Sequence, residues 1–221
     1  MTTIPQIKIY LSMQSRDEVL LLFDGVKHLD VAGPAEVFSE VNRPGADYTF
    51  RYVSNAGVGA RTSPGLTLAA DSAASTIKHV DTVVIPGGDD LPMTPIGPGL
   101  RDRPAQLIDR AVRVVSICTG VFLLTAMGSR TAGATAHWAH TRLFSRVHCR
   151  IEVAPDAIYV ADGKFLTSAG VSAGIVLALA LVELGYDADL ARDVAGHLVV
   201  YLQCPRGQSH FFALLDGTRS A

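Results

Sequence analysis

Apolar residues gather along this chain in short unbroken runs rather than in alternation with polar ones. VLLLF (Val19 to Phe23), FRYVS (Phe50 to Ser54), DTVVIPGG (Asp81 to Gly88) and VRVVSIC (Val112 to Cys118) are the main ones. Runs of this kind suit strands covered on both faces, as in a parallel sheet. Helix-length segments separate them: Pro34 to Val41, Leu100 to Ala111 and Thr119 to Met127. Strand then helix, repeated, predicts an α/β fold, an open and mostly parallel sheet flanked by helices. Gly33-Pro34 predicts a helix start at Pro34, where a missing N–H is harmless, and Gly128 predicts the end of the later helix. In AIYVADGKFLTSAG, Asp162-Gly163 parts two strand-like runs and predicts a small antiparallel excursion. Beyond it, Val171 to Leu184 and Ala188 to Gln203 read as apolar helices, the second with a polar face at Arg192 and Asp193.

No repeat, low-complexity stretch or linker interrupts residues 18 to 205, so one domain is expected there. The ends differ: residues 1 to 17 and 206 to 221 lack periodicity, and the second reads either as a surface tail or as the start of a linker. A formal net charge of -2 and no clustered Lys or Arg leave no electrostatic footprint for nucleic acid, so this chain alone is expected to bind DNA poorly. Cys118, Cys149 and Cys204 are widely spaced, which encodes neither a disulfide framework nor a zinc knuckle and predicts a reducing cytoplasm. The first residues have no signal-peptide character, and Val171 to Leu184 is short of the ~20 residues a membrane-spanning helix needs. No membrane partner is expected.

Candidate chemistry concentrates in VRVVSICTGVFLLTAMG, a strand that runs into a cysteine and directly on into a helix. Such an elbow forces its central residue into a sparsely populated backbone conformation and crowds the chain unless the residues two before and two after are small. Ser116 and Gly120 meet that requirement. The thiol is then placed at a helix amino end, where unpaired N–H groups favour thiolate, so Cys118 is expected to have a lowered pKa. The competing reading is a small buried hydrophobe, which is the better one for Cys149 and Cys204.

Asp30, in HLDVAGPAEVF, lies where the first strand's loop turns into a helix. It is either an acid near the sheet's carboxyl edge, where open α/β sheets bind ligands, or a helix cap. Gly87 and Gly88 follow another strand and either present bare N–H groups to an anion or developing oxyanion, or form a plain turn. His137, in TAHWAH, either orients and titrates near the thiol or is structural. His137 and His140 share i, i+3 spacing, but no credible third ligand follows, so no metal is expected. Gly170 through Gly174 either leave room for a ligand or permit close packing.

Taken together, these segments resemble the PfpI/ThiJ superfamily over nearly all of residues 18 to 205. The resemblance implies the flavodoxin-like fold of class I glutamine amidotransferases. FDGVKHLDVAGPAEVF, VIPGG, SICTGVFLLTAMG, ATAHW and LTSAGVSAGIVLALALVE, in this order, look most like the amidase-like amino-terminal domains of AraC-family transcriptional regulators. HLVVYLQCPRGQSHF is similar to the stretch that ends those sensor domains before a linker to a helix-turn-helix module. What this implies is a ligand-sensing domain that binds a small metabolite around Cys118, forms a homodimer, carries no cofactor, and reaches DNA only through a module not present in this chain.

Isonitrile hydratases are enzymatic relatives in which an elbow cysteine acts with a nearby acid and the following threonine. The matching positions are Cys118, Asp30 and Thr119. The alternative is therefore a freestanding hydratase or hydrolase with Cys118 as nucleophile, Asp30 as acid and base, Thr119 orienting, and backbone donors near Gly87 or Gly88. Thr119 replaces the histidine that follows the cysteine in protease-like members, which weakens a peptidase reading. Ala136 stands where a threonine commonly precedes the His-Trp pair. A third reading is a redox-sensing thiol, which requires exposure as well as a low pKa.

Overall fold

Leu20 and Leu22 pack into one hydrophobic cluster while Val19 and Leu21 pack into another, and all four are buried. That is a strand covered on both faces, as its unbroken apolar run requires. The structure, a computed structural model, describes residues 16–201 and 207–209. Its strands are β1 (Arg16–Leu22), β2 (Tyr48–Ser54), β3 (Ala60–Arg61), β4 (Thr67–Leu68), β5 (Ser72–Ala73), β6 (Val80–Ile85), β7 (Ala111–Ile117), β8 (Gly133–Ala134), β9 (Glu152–Val153), β10 (Tyr159–Asp162) and β11 (Phe165–Ser168). The main sheet has seven strands in the order β10-β11-β7-β6-β1-β2-β5, parallel throughout except for the β10–β11 pair. The pairs β3–β4 and β8–β9 stand apart as small sheets.

Among the described residues, the helices that flank the sheet are α1 (His28–Val41), α2 (Pro98–Arg110), α3 (Gly120–Ala126), α4 (Thr141–Val147), α5 (Ser172–Gly185) and α6 (Ala188–His197). Val37, Leu177 and Val194, from α1, α5 and α6, pack with Leu20 and Leu22 on one face. Leu107, Leu123 and Phe144, from α2, α3 and α4, pack with Val19 and Leu21 on the other. The mostly parallel α/β architecture and the antiparallel excursion are as the sequence predicts, with Gly163 turning the hairpin at φ +59.

Several boundaries move. Helix α1 begins at His28, so Pro34 lies inside it and Asp30 is in its first turn, not in a loop before it. Helix α2 begins at Pro98 and ends at Arg110, because Ala111 opens β7 without an intervening loop. Arg16 and Asp17, expected in a tail, pair with Tyr48 and Thr49 as part of β1. Helix α6 stops at His197, because Val199 turns to φ +55. Gln203, with which that helix was expected to end, and Cys204 lie outside the described residues. Among the described residues, no helix is long and apolar enough to cross a membrane.

From β1 the chain goes outward to β2 and β5, then returns on β1's other side as β6. The direction of winding therefore reverses between β1 and β6, and the crevice beyond their carboxyl ends is where open sheets bind ligands. The loop after β1 leads into Asp30, the loop after β6 is Pro86-Gly87-Gly88, and a bridge between Val26 and Gly88 joins the two.

Candidate functional site

Cys118 follows directly on β7 at φ +60, a conformation uncommon outside glycine. Its amide donates to the Ser168 carbonyl at 3.0 Å, which ties the elbow to β11. A Cβ on Gly120 would lie 2.3 Å from the Ile85 carbonyl oxygen, which accounts for the small residue there. Gly170, at φ +106, lies so close that its Cβ would fall 2.4 Å from the Cys118 Cβ, and a Cβ on Gly174 would meet Ile117 at 3.2 Å. These two glycines serve close packing.

Gly87 is the meeting point. A Cβ there would lie 2.8 Å from the Cys118 Cβ and 2.9 Å from both Asp30 Oδ2 and Thr119 Oγ1. The structure thus brings Cys118, Asp30, Thr119, Gly87 and Gly88 into one cluster. Asp30 is fully buried, and its Oδ2 accepts from the Gly87 N–H and its Oδ1 from the Val171 N–H, both at 2.9 Å. Thr119 Oγ1 accepts from the Gly88 N–H at 2.9 Å and donates to the Gly88 carbonyl at 2.7 Å. The expectation of bare donors at Gly87 and Gly88 is therefore not met, because each N–H already serves a side chain of the cluster.

The expected lowering of the Cys118 pKa is also overturned. The thiol is 4% exposed, and burial, with the Asp30 charge beside it, pushes it up to about 12, against the pull of Thr119 and Lys27. The amino end of α3 does not outweigh the cost of burying a thiolate beside that carboxylate. Burial likewise pushes Asp30 up to about 6, opposed by the amides of Gly87 and Val171. At neutral pH the site holds a thiol beside a carboxylate.

Two contributors were not singled out in the sequence. Val171 sits at φ +53 and ψ -114, strained for a β-branched residue, and its amide reaches Asp30. The signal available was its place after the glycine of TSAG. Lys27 donates its backbone N–H to the Gly87 carbonyl at 2.8 Å and pairs through Nζ with Asp89 at 2.6 Å, which cross-links the two loops of the crevice. Nothing but nearness to Asp30 marked it.

His137 is not bonded into the cluster. It lies half-buried between β8 and α4, its Nδ1 accepts from the Ala139 N–H at 3.3 Å, and its ring is 6.1 Å from that of His140. Burial, followed by the charges of His140 and Lys27, lowers its pKa. Among the described residues, no group of three His, Cys, Asp or Glu is placed to hold a metal. A hollow of about 120 Å³ opens against Gly88 between the loops after β1 and β6, walled by Phe23, Gly25, Leu91, Ile96 and Leu100.

Comparison with known proteins gives a consistent result. The DJ-1/PfpI family profile matches residues 18–184. The chain is 31% identical to an isonitrile hydratase from Pseudomonas putida over 182 residues, which span 79% of this chain and 74% of that protein. It is 49% identical over 129 residues to an uncharacterized protein in the cpoL 5' region of Streptomyces lividans, covering 58% of this chain and 92% of the relative. A ThiJ/PfpI family protein from Pseudomonas syringae superposes with a TM-score of 0.73 at 20% identity, over 98% of this chain and 93% of the other. An AraC family transcriptional regulator from Pseudomonas putida superposes with a TM-score of 0.70 at 23% identity, over 84% of this chain and all of the other.

Proposed function

This chain belongs to the DJ-1/PfpI family, and from that premise we propose that it is a ligand-sensing domain of the kind AraC-family regulators carry. It binds a small metabolite at the Cys118 crevice, works as a homodimer, and contacts DNA only through a helix-turn-helix module outside these 221 residues. The observation that carries this reading is the state of the elbow. Its backbone has the nucleophile's geometry, but its thiol is 4% exposed and held protonated. The nearby amides of Gly87 and Gly88 are already engaged by Asp30 and Thr119. Such a site holds its groups in place for recognition, with the thiol buried and the Gly87 and Gly88 amides already occupied. A hollow of about 120 Å³ adjoins the cluster at Gly88, with Cys118, Asp30 and Thr119 outside its wall, and its size suits a small ligand. A ligand that binds one dimer arrangement more tightly shifts the equilibrium by that difference in affinity.

The second reading, a hydratase, is favoured by the contact of Cys118, Asp30 and Thr119 around Gly87. In it, the Cys118 sulfur adds to the terminal carbon of an isonitrile and Asp30 relays the thiol proton to the adduct. Water then displaces the sulfur, which leaves an N-substituted formamide and the restored thiol. One assay separates the two. Cyclohexyl isonitrile is incubated with the protein and with Cys118→Ser, and formamide is followed by NMR. The sensing reading expects no product that depends on Cys118, and product lost in the serine variant overturns it. Sedimentation of the dialysed protein is expected to show a dimer; a monomer at high concentration rejects that part of the proposal.

A further inference from the structure

Gln208 lies far along the chain from every residue of the crevice, and yet it is 4% exposed. Its side-chain amide enters a cradle of oxygens: Nε2 is 3.1 Å from the carbonyls of Ala136, Pro155 and Ala157 and 3.3 Å from Thr135 Oγ1. Two N–H bonds are thus shared among four acceptors, and the Thr135 hydroxyl itself donates to Ala157 at 3.2 Å. The backbone adds to this, with the Gln208 N–H donating to the Asp156 carbonyl at 2.9 Å and the Ser209 N–H to Asp156 Oδ1 at 2.7 Å. Gly207 fits only because it has no Cβ, which would fall 2.2 Å from Asp156 Oδ2.

The cradle is continuous with the Cys118 site. The Thr135 amide donates to Thr167 Oγ1 at 2.8 Å. Thr167 is fully buried in β11, paired in register with Ser116 of β7. The next residue, Ser168, accepts the Cys118 amide at 3.0 Å. On the other side, Ala136 leads directly into His137, whose ring feels the same Lys27 charge that acts on Cys118.

We propose that Gln208 is an internal ligand whose docking into the cradle of Thr135, Ala136, Pro155 and Ala157 couples the C-terminal segment 207–209 to the Cys118 site. Withdrawal of the amide leaves the carbonyls of Ala136 and Pro155 without another donor among the described residues, and a buried acceptor left without a donor is costly. The loops around residues 135–137 and 155–157 then rearrange to find new donors. Those loops share β11 with the elbow, so the rearrangement reaches Cys118. By linkage, a change at Cys118 must alter the docking by the same factor. None of this depends on whether the site binds its ligand or turns it over.

The test uses the full chain in four forms: wild type, Gln208→Ala, Gln208→Glu and Asp156→Ala, the last releasing the segment without touching the cradle's own oxygens. Amide exchange at Ser209, read by NMR, reports docking, and site-resolved mass spectrometry of iodoacetamide labelling reports Cys118, with exposed Cys149 as the internal reference. Each variant is expected to speed Ser209 exchange at least tenfold and to change Cys118 labelling several-fold, while Cys149 labelling stays constant. Carboxamidomethylation of Cys118 in the wild type is expected to change Ser209 exchange in turn. Fast Ser209 exchange with Cys118 labelling unchanged rejects the coupling, and unchanged Ser209 exchange in the Gln208 variants rejects the anchor. Neither result bears on the isonitrile assay, so the two proposals fail separately.

Discussion

Asp30 makes a charge on Cys118 more costly. Fully buried, Asp30 keeps its carboxylate because two backbone amides hold it, and that retained charge is the second cause, after burial, of the high thiol pKa. Asp30→Asn removes the charge and leaves the volume nearly unchanged, so Cys118 is expected to titrate at lower pH in the variant. A fall of about one unit gives roughly ten times the thiolate at a pH below both values, and a matching rise in alkylation rate. Cys118 labelling followed from pH 8 to 11 in both proteins measures it; superposable profiles would remove Asp30 from the account of the thiol. The same residue shows what could be read in advance. The elbow at Cys118 and the small residue at Gly120 follow from local backbone geometry, which the five adjacent residues from Ser116 to Gly120 carry. The partner of Asp30 Oδ1 lies 141 positions away at Val171, and the burial that reverses the thiol's expected shift exists only once both faces of the sheet are covered. Neither leaves a mark on a short window of sequence.

At the level of elements, glycine and proline punctuation succeeded where it acts alone and misled where packing took over. Gly128 ends α3 at φ +87, and Gly163 turns the β10–β11 hairpin. Pro34 reads as a helix start, but α1 already runs from His28 and tolerates the proline in its second turn, where one backbone hydrogen bond is lost. The end of α6 has no glycine at the left-handed position, because Gly196 lies inside its last turn. Val199 takes the left-handed position at φ +55 while the Val200 N–H donates back to the Ala195 carbonyl at 3.0 Å, the arrangement in which glycine is the usual residue. With 91% of Val199 exposed, its side chain contributes little packing to offset the strain, which is about 1 kcal/mol or more for a β-branched residue. Val199→Gly is therefore expected to stabilise the protein by about 0.5–1 kcal/mol, net of the freedom glycine adds to the unfolded chain. A higher urea midpoint at constant slope is the expected result; an unchanged or lower midpoint means that the exposed valine contributes something the cap geometry does not show.

Across the whole molecule, the sheet has a polar end opposite the crevice, and its central charge is the least comfortable in the fold. Glu18, at the amino-terminal half of β1, is fully buried, and neither carboxylate oxygen has a hydrogen bond of good geometry among the described residues, although the Thr82 hydroxyl lies near enough to favour its charge. Arg113 approaches only to 3.7 Å, while Arg16 turns instead to the Tyr48 hydroxyl and the Gly185 carbonyl. Burial pushes the Glu18 pKa up from 4.5 to about 7, with Arg113 holding it back in part. Because the folded value is the higher one, the native state binds the extra proton. Stability on this account is full below the unfolded value near 4.5 and is lost as pH rises through the folded value near 7. The loss is on the order of 3 kcal/mol when complete, and Asp30 adds to it over a lower window, between 3.8 and about 6. Glu18→Gln imitates the protonated form, so the variant is expected to be more stable than the wild type at pH 8 and close to it at pH 5. Urea unfolding at the two pH values tests this directly. A wild type whose midpoint does not fall between pH 5 and pH 8 would mean that Arg113 closes on Glu18 in solution and that the charge is paired after all. A glutamine variant weaker at pH 8 would mean that Arg113 depends on Glu18 more than Glu18 suffers from burial.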